Sequence, residues 1–285
     1  MSVEHSTESA VIIRASRSAQ NKGYAVAEFF QRFTDAPIDN YRWFMLMMRN
    51  ATPGCRQLCC GICKACRRRG RIAQVASARV QVHAFELLPS NANMLRSLAA
   101  LALPSWARVE VHTAAVGNES GATVYVRDSG VPGYEASSAQ RRASRGSVAV
   151  RTMTVDAVVA EHSIERIAWL SIDAEGWDGL VLRGARRTLE RRMVDLLEFE
   201  YLRRWAMHLG PRPLWRTLEW LRGIGYSCFW QDHRGRVARA SAPCWRDEFE
   251  QTNPMAWRNI FCSHRPDLVA LAAAREEREQ PNKKL

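Results

Sequence analysis

The chain alternates between short apolar runs of strand length and longer segments in which apolar residues recur with helical spacing. Alternation with a period of two is typical of a half-buried strand, and a short continuous apolar run is typical of a strand buried on both faces. These patterns predict strands at 80–85, 109–116, 122–126, 148–153, 167–172, 194–200, 226–231 and 259–264, and helices at 89–102, 154–161, 177–191 and 214–222. Strands and helices that alternate in this order, with extra strands late in the chain, predict an α/β fold. We expect a doubly wound, mostly parallel sheet with an antiparallel closing strand.

The N-terminal part of the chain is less regular. A short β-prone run at 11–13 is followed by a polar stretch that ends near Tyr24, and helical spacing resumes over 25–33. Residues 55–71 are rich in Cys and Arg and show no periodicity, which is typical of a loop or an insertion. We therefore divide the chain into an N-terminal part, a Cys/Arg-rich insertion, a core with the C-terminal strands, and a charged tail, at 1–54, 55–79, 80–266 and 267–285.

Two of the predicted strands end in carboxylates. Asp173, Glu175 and Gly176 follow the apolar run at 167–172, and Glu86 follows the strand at 80–85. Open α/β sheets bind their ligands at the edge where parallel strands end. A carboxylate at the end of the second strand can accept hydrogen bonds from both hydroxyls of a ribose. The alternative for Glu86 is a surface residue that only ends the strand. Together, the two strand ends indicate a nucleotide-type ligand and therefore an enzyme.

Composition and charge narrow the class of protein. With 285 residues and a 47% apolar fraction, the chain can bury one large core. No apolar run approaches the roughly 20 residues that span a bilayer. The polar N-terminus fits no signal peptide, so we expect a soluble, intracellular protein. Nearly all of the net charge of +12 comes from scattered arginines, which disfavours a nucleic-acid partner and makes an Arg-rich nucleic-acid binder the weakest alternative.

Five of the eight cysteines lie between Cys55 and Cys66. The close spacing of Cys60, Cys63 and Cys66 is typical of a thiolate metal site, and a structural zinc is one interpretation of it. Iron–sulfur ligation and a metal-free cysteine-rich loop are the alternatives. Disulfides are the weaker interpretation of the eight cysteines, because the sequence shows no secretory signal.

Five short motifs in order and spacing carry a family resemblance: 85–95 FELLPSNANML, 114–117 AAVG, 152–156 TMTVD, 171–176 SIDAEG and 197–201 LEFEY. Each motif is weak alone, but the set resembles the FkbM-type methyltransferases over about 80–265. The resemblance implies a class I, Rossmann-like methyltransferase that uses S-adenosylmethionine. It further favours O-methylation of a hydroxyl on a small molecule or a glycan.

The resemblance also implies roles for single residues. The cofactor would be bound by four of them, Asn21, Gly23, Glu86 and Ala115. Asp173 and Glu175 would lie beside the reactive methyl, where a carboxylate can orient or deprotonate an acceptor hydroxyl. Capping of the next helix is a second role open to this pair. Glu198 and Glu200, on the next strand, are the next candidates.

The chain departs from the family pattern at the first, glycine-rich motif. Arg17 and Ala19 stand where the family has Asp and Gly, whereas Asn21 and Gly23 match. An Arg reverses a charge that would pair with the methionine amine, and Ala narrows the approach of the backbone to the ligand. Either the cofactor site is weakened, or the start of the reading frame is wrongly assigned; the sequence that resumes at Asn21 favours the second. A catalytically inactive binding module with this fold is the alternative function.

Overall fold

The computed structural model describes residues 8–14, 80–102, 107–128, 139–174, 176–231, 237–250 and 258–279. The strands are β1 Glu8–Arg14, β2 Val80–Glu86, β3 Ala107–Thr113, β4 Ala115–Val116, β5 Thr123–Arg127, β6 Ser147–Met153, β7 Ile167–Asp173, β8 Val194–Tyr201, β9 Ser227–Gln231, β10 Val237–Arg239 and β11 Arg258–Ser263. The helices are α1 Pro89–Ala102, α2 Val155–Glu161, α3 Asp178–Gly184, α4 Arg186–Glu190, α5 Trp205–Leu209, α6 Pro213–Gly223 and α7 Pro266–Glu279. Among these described helices, none is both long and apolar enough to cross a membrane.

Eight strands form the central sheet, in the order β10-β9-β11-β8-β7-β1-β2-β3. The pairs from β8 through β7, β1 and β2 to β3 are parallel. The pairs β8–β11, β11–β9 and β9–β10 are antiparallel. The α/β class is therefore confirmed, and the sheet is mixed. The chain runs outward from β1 in one direction through β2 and β3, and it returns to the other side of β1 as β7.

Each face of this sheet carries its own apolar core. Leu170, Ile172, Leu197 and Phe199 pack on one face, together with apolar side chains of α2 to α6. Residues at alternate positions, such as Trp169 and Leu196, pack on the other face against Leu268 and Ala272 of α7. Because β8 is covered on both faces, all eight of its residues are buried. Its apolar residues therefore contribute to both cores, and its three acidic residues are buried as well.

A second, three-stranded sheet has the order β4-β6-β5. Its own small core contains Leu88, Val126 and Val150. The expected strand at 109–116 is thus two strands, of which β4 pairs with β6 and leaves the central sheet. This step places Ala115 beside the carboxyl ends of the central strands, because the Ala114 amide donates to the Glu86 carbonyl at 3.1 Å.

The helix expected at 177–191 is two short helices, α3 and α4, separated at Ala185. The cause is a contact from far along the chain. The Asp156 carboxylate accepts hydrogen bonds from the amides of Arg187 and Thr188, at 3.0 and 2.9 Å, and so caps a new helix start. At the end of α3, a Cβ on Gly184 would lie only 2.0 Å from the Gly117 carbonyl oxygen, so this position accepts glycine alone.

Two further expectations differ from the structure. The segment 267–285 was expected to be a charged tail, but α7 extends to Glu279. It buries Leu268 and Ala272, which have helical spacing in a segment that also contains charged residues. The interpretation that disulfides are the weaker alternative is wrong for one pair. Cys228 and Cys262 face each other across β9 and β11 and form a disulfide.

Candidate functional site

The parallel strands end together at one edge of the central sheet. Asp173 ends β7 and is the register partner of Arg14, the last residue of β1. Glu86 ends β2, on the other side of β1, one residue beyond the pair Ile13–Phe85. Two inter-strand steps of about 4.8 Å put the Cα atoms of Glu86 and Asp173 about 10 Å apart. The structure therefore brings these two predicted residues to the point where the strand order reverses, which is where open α/β sheets bind ligands.

Alternation along the strands also places the acidic side chains on a common face. Phe85, Ile172 and Phe199 belong to the core on the α2–α6 side. Their neighbours Glu86, Asp173, Glu198 and Glu200 therefore project to the opposite face, beyond the part that α7 covers. We call Glu86, Asp173, Asp178, Glu198 and Glu200 the acidic edge.

The carboxylate of Glu86 is held in a defined position. Its side chain is buried, and its Oε1 accepts a hydrogen bond from the Leu88 amide at 2.8 Å. The next residues enter α1, where Asp128 accepts hydrogen bonds from the amide and the hydroxyl of Ser90, at 2.8 and 2.7 Å. The turn after β2 is thus fixed at both ends, which holds the carboxylate in place for a ligand at the edge.

Asp178 is an acidic residue that the sequence reasoning missed. It is fully buried, and its Oδ2 accepts hydrogen bonds from the amides of Ala174 and Gly176, at 3.3 and 3.2 Å. Its Oδ1 accepts from the Glu200 amide at 3.1 Å. One carboxyl group therefore ties the turn after β7 to the end of β8. An Asp in the first turn of a predicted helix is the sequence pattern that could have indicated this role.

The pKa of Asp178 lies well above its ordinary value of 3.8. Burial is the main cause, and the negative charges of Asp173 and Glu200 raise the pKa further. Its hydrogen bond from the backbone of Glu200 opposes the shift. The acidic edge therefore favours either a proton or a cation close to Asp178.

Glu198 is buried on β8 and is bound on both sides. Its Oε2 accepts a hydrogen bond from the Ser171 hydroxyl at 3.3 Å, and its Oε1 accepts from the Asn259 side-chain amide at 3.2 Å. Glu200 is also buried. These contacts link β7, β8 and β11 at the carboxyl edge.

The turn between Asp173 and Asp178 is tightly packed. Gly176 has φ +88, and a Cβ there would lie 3.0 Å from the Cβ of Arg204. The indole of Trp177 stacks on the imidazole of His208, with ring centroids 4.0 Å apart. His208 is half-buried in this position, beside the acidic edge.

The motif at 152–156 has a structural role in the fold. The Thr154 hydroxyl oxygen accepts a hydrogen bond from the Ala157 amide at 3.1 Å and caps α2. Asp156 caps α4, as described above. Neither residue belongs to the acidic edge.

Residues 65–227, more than half of the chain, match the family model of the methyltransferase FkbM domain. The chain belongs to the FkbM methyltransferase family. The expected family resemblance is thereby confirmed. No curated protein sequence matches the chain.

A solved structure that is similar to this FkbM chain is that of methyltransferase FkbM from Methylobacillus flagellatus KT. The two share 17% sequence identity with a TM-score of 0.32, and the likeness covers 64% of this chain and 36% of that one. This chain therefore matches only about a third of the length of that protein.

The FkbM match contains Glu86, Ala115 and Asp173, and the structure gathers all three at or beside the carboxyl edge. The other predicted site residues, Asn21, Gly23, Cys60, Cys63, Cys66 and Glu175, lie outside the described residues. Their roles stay predictions.

Proposed function

We propose that this protein is a class I methyltransferase that transfers the methyl group of S-adenosylmethionine to a hydroxyl oxygen of a small molecule or a glycan. The observation that carries the proposal is the meeting of Glu86 and Asp173 on either side of β1, in a chain of the FkbM family. The reversal of strand order at β1 supports the doubly wound arrangement of this class.

The chemistry of the acidic edge fits the cofactor. S-adenosylmethionine has a sulfonium and an ammonium group, and an edge with five buried or half-buried carboxyl groups favours a cationic ligand. In this proposal Glu86 accepts hydrogen bonds from the two ribose hydroxyls, and Ala115 lies along the adenine. Asn21 and Gly23 approach the amino-acid end.

When bound, the cofactor supplies an electrophilic methyl group. Asp173 would orient the acceptor hydroxyl and take its proton as the methyl group passes from the sulfonium sulfur to the oxygen, which leaves a neutral thioether. Glu175 would serve as the second carboxylate. Asp178 is a positioning residue, since its three backbone hydrogen bonds fix the turn between these groups and β8. Most of the acceleration would come from alignment of the acceptor with the methyl group.

Cofactor binding tests the role of Glu86. Calorimetry with S-adenosylmethionine should detect binding to the parent, and Glu86→Ala should weaken it by about 1–3 kcal/mol. Glu86→Gln retains an acceptor for the Leu88 amide and should fall between the two. Glu190→Ala, on the exposed face of α4, is the matched control. Unchanged affinity in Glu86→Ala would show that the ribose lies elsewhere.

Transfer tests the role of Asp173. Labelled cofactor, incubated with the parent and a cell extract, should label an acceptor. Asp173→Asn should lower turnover by roughly 10²–10⁴ with cofactor affinity nearly unchanged. Equal labelling by both proteins would contradict the assignment. Binding without transfer to any hydroxyl acceptor would instead support the inactive binding module, which the substitutions at Arg17 and Ala19 favour.

A further inference from the structure

Four metal-ligating side chains meet on the face of the sheet opposite the acidic edge. They are His83 of β2, Glu110 and His112 of β3, and His162, which caps the C-terminal end of α2. We call them the histidine cluster. His83 and Glu110 are register partners, and His112 is the partner of Phe85, so all three strand residues project from one face.

The distances within the cluster are those of a closely set ligand group. The Nδ1 of His83 lies 3.1 Å from the Nε2 of His112. The Glu110 carboxylate lies 3.9 Å from the Nε2 of His112 and 4.0 Å from the Nδ1 of His162. One ligand atom from each of the four residues lies within 4.8 Å of the others.

These separations approach those of a coordinated metal. Zinc–ligand bonds of about 2.0–2.1 Å at tetrahedral angles separate two ligand atoms by roughly 3.3 Å. The His83–His112 separation of 3.1 Å is already close to this value, and shifts of about 1 Å in the Glu110 and His162 side chains would close the set. Three imidazoles and one carboxylate are ligands that zinc and related divalent transition metals accept.

The environment keeps the central imidazole ready to bind a metal. His83 is fully buried, and its Nε2 has no hydrogen-bond partner within the described part of the chain. Burial is the main cause that lowers the pKa of His83 to about 4, and the imidazoles of His162 and His112 lower it further. Burial lowers the pKa of His112 as well. Neutral imidazoles are the form that ligates metals.

We propose that His83, Glu110, His112 and His162 bind one divalent transition metal ion of the zinc type, which fastens the end of α2 to strands β2 and β3. Four protein ligands complete a tetrahedral set and leave no open position, so the site is structural. Because His83 precedes Glu86 by three strand positions, about 10 Å, and projects from the opposite face, the metal site is separate from the acidic edge.

A metal-free cluster is the competing account. The hydrogen bond between His83 and His112 can form between two neutral imidazoles, of which one donates its N–H to the other. The ring contacts of His162, with centroids 4.4 Å from His83 and 5.5 Å from His112, can also be packing alone. The two accounts differ in whether metal binds with defined stoichiometry and depends on each of the four residues.

The experiment measures zinc binding to the full-length chain after chelator treatment and dialysis. It is run in the parent and in a Cys55→Ser/Cys59→Ser/Cys60→Ser/Cys63→Ser/Cys66→Ser variant, which we call the serine background, so that the clustered thiolates cannot account for bound metal. Elemental analysis should return one zinc per chain in the serine background. Cobalt substituted for zinc should give a tetrahedral absorption spectrum without thiolate charge-transfer bands.

Single variants then test the ligands. His162→Asn and Glu110→Gln should each raise the zinc Kd at least about 100-fold, whereas His208→Asn, which removes a histidine outside the cluster, should leave it unchanged. Zinc at a hundredfold excess over Kd should raise the Tm of the serine background by roughly 5 °C or more, and this shift should vanish in His162→Asn. Circular dichroism verifies that each variant is folded. If His162→Asn does not fold, the more conservative Glu110→Gln still tests the site.

Several outcomes would overturn the proposal. They are the absence of zinc from the serine background, zinc binding that survives both His162→Asn and Glu110→Gln, and an equal loss of affinity in His208→Asn. Cofactor affinity, measured in His162→Asn and Glu110→Gln, is expected to stay near the parent value. The metal site and the methyltransferase assignment can therefore fail independently.

Discussion

Two buried aspartates lie near opposite ends of β8 and are stabilised in different ways. Asp195, near the start of the strand, is bound by cations: Arg166 donates to both of its oxygens, and Nη1 of Arg265 lies 3.4 Å from Oδ2. Asp178, near the end of the strand, accepts three hydrogen bonds from backbone amides. The first arrangement pairs a carboxyl group with two guanidinium groups, whereas the second orders a turn and leaves the Asp178 carboxyl group with a raised pKa.

The difference separates a structural carboxylate from one suited to a ligand site. Two arginines neutralise Asp195 at the end of the sheet away from the acidic edge, where α7 begins. Near Asp178, the adjacent charges are the carboxylates of Asp173 and Glu200, which add to the cost of ionisation. A cationic ligand at that edge would offset this cost.

The largest effect is expected from Asp195→Ala. Removal of this carboxylate leaves the guanidinium groups of Arg166 and Arg265 without their shared partner and should lower the free energy of unfolding by about 3–5 kcal/mol. Urea denaturation followed by circular dichroism measures the change. A loss below about 1 kcal/mol would mean that solvent already screens both arginines.

Asp178→Ala should have a smaller effect on stability and a larger one on the site. Three buried amides lose their acceptor, at a cost of about 1–3 kcal/mol, and the turn at 174–178 loses its fixed shape. Urea denaturation measures the first effect. Labelled-methyl transfer measures the second, which should be a loss of turnover with the cofactor still bound. Full turnover in a stable Asp178→Ala protein would remove its positioning role.

The pH dependence of stability should distinguish Asp178 from an ordinary carboxylate. The unfolded chain loses the Asp178 proton near pH 3.8, while the folded protein retains it to a higher pH. Over that interval the native state binds more protons, so stability falls as pH rises, by up to about 1.4 kcal/mol per pH unit. Asp178→Asn should remove this contribution, and superimposable pH profiles for the two proteins would contradict it.

The smallest effect is expected at an exposed pair. Arg186 and Glu190 lie four residues apart on α4, with 67% and 38% of their side chains exposed. Glu190→Gln should change the free energy of unfolding by no more than about 0.5 kcal/mol, because water screens the pair. The change in this variant is the reference against which the losses at the two buried aspartates are compared. A change as large as that of Asp195→Ala would indicate that burial does not control the cost of losing an ion pair.

The sequence predicted the features that depend on local periodicity. The helix at 89–102 and the strands around 80–86 and 167–173 were expected within one residue, because their apolar patterns are strict. Glu86 and Asp173 were expected at the sheet edge for the same reason. The resemblance to the FkbM family came from motifs that lie on these elements.

Features that depend on contacts between distant segments were not predictable in this way. The break between α3 and α4 depends on Asp156, about 30 residues earlier, and the disulfide joins cysteines 34 residues apart. His83, His112 and His162 lie in three separate segments, and only the parallel register of β2 and β3 and the end of α2 unite them. A periodic pattern of apolar residues does not predict such contacts between distant segments.

The short helix α3 connects the two sides of the proposed cofactor cleft. It begins at Asp178, beneath the turn after β7, and ends at Gly184, against the carbonyl of Gly117, two residues beyond Ala115. Seven residues at about 1.5 Å each make a rod of about 10 Å. Because neither end has room to slide, α3 acts as a spacer of fixed length. A displacement of the turn after β7, on the acceptor side of the proposed cleft, would therefore also displace the segment around Gly117 on the adenine side.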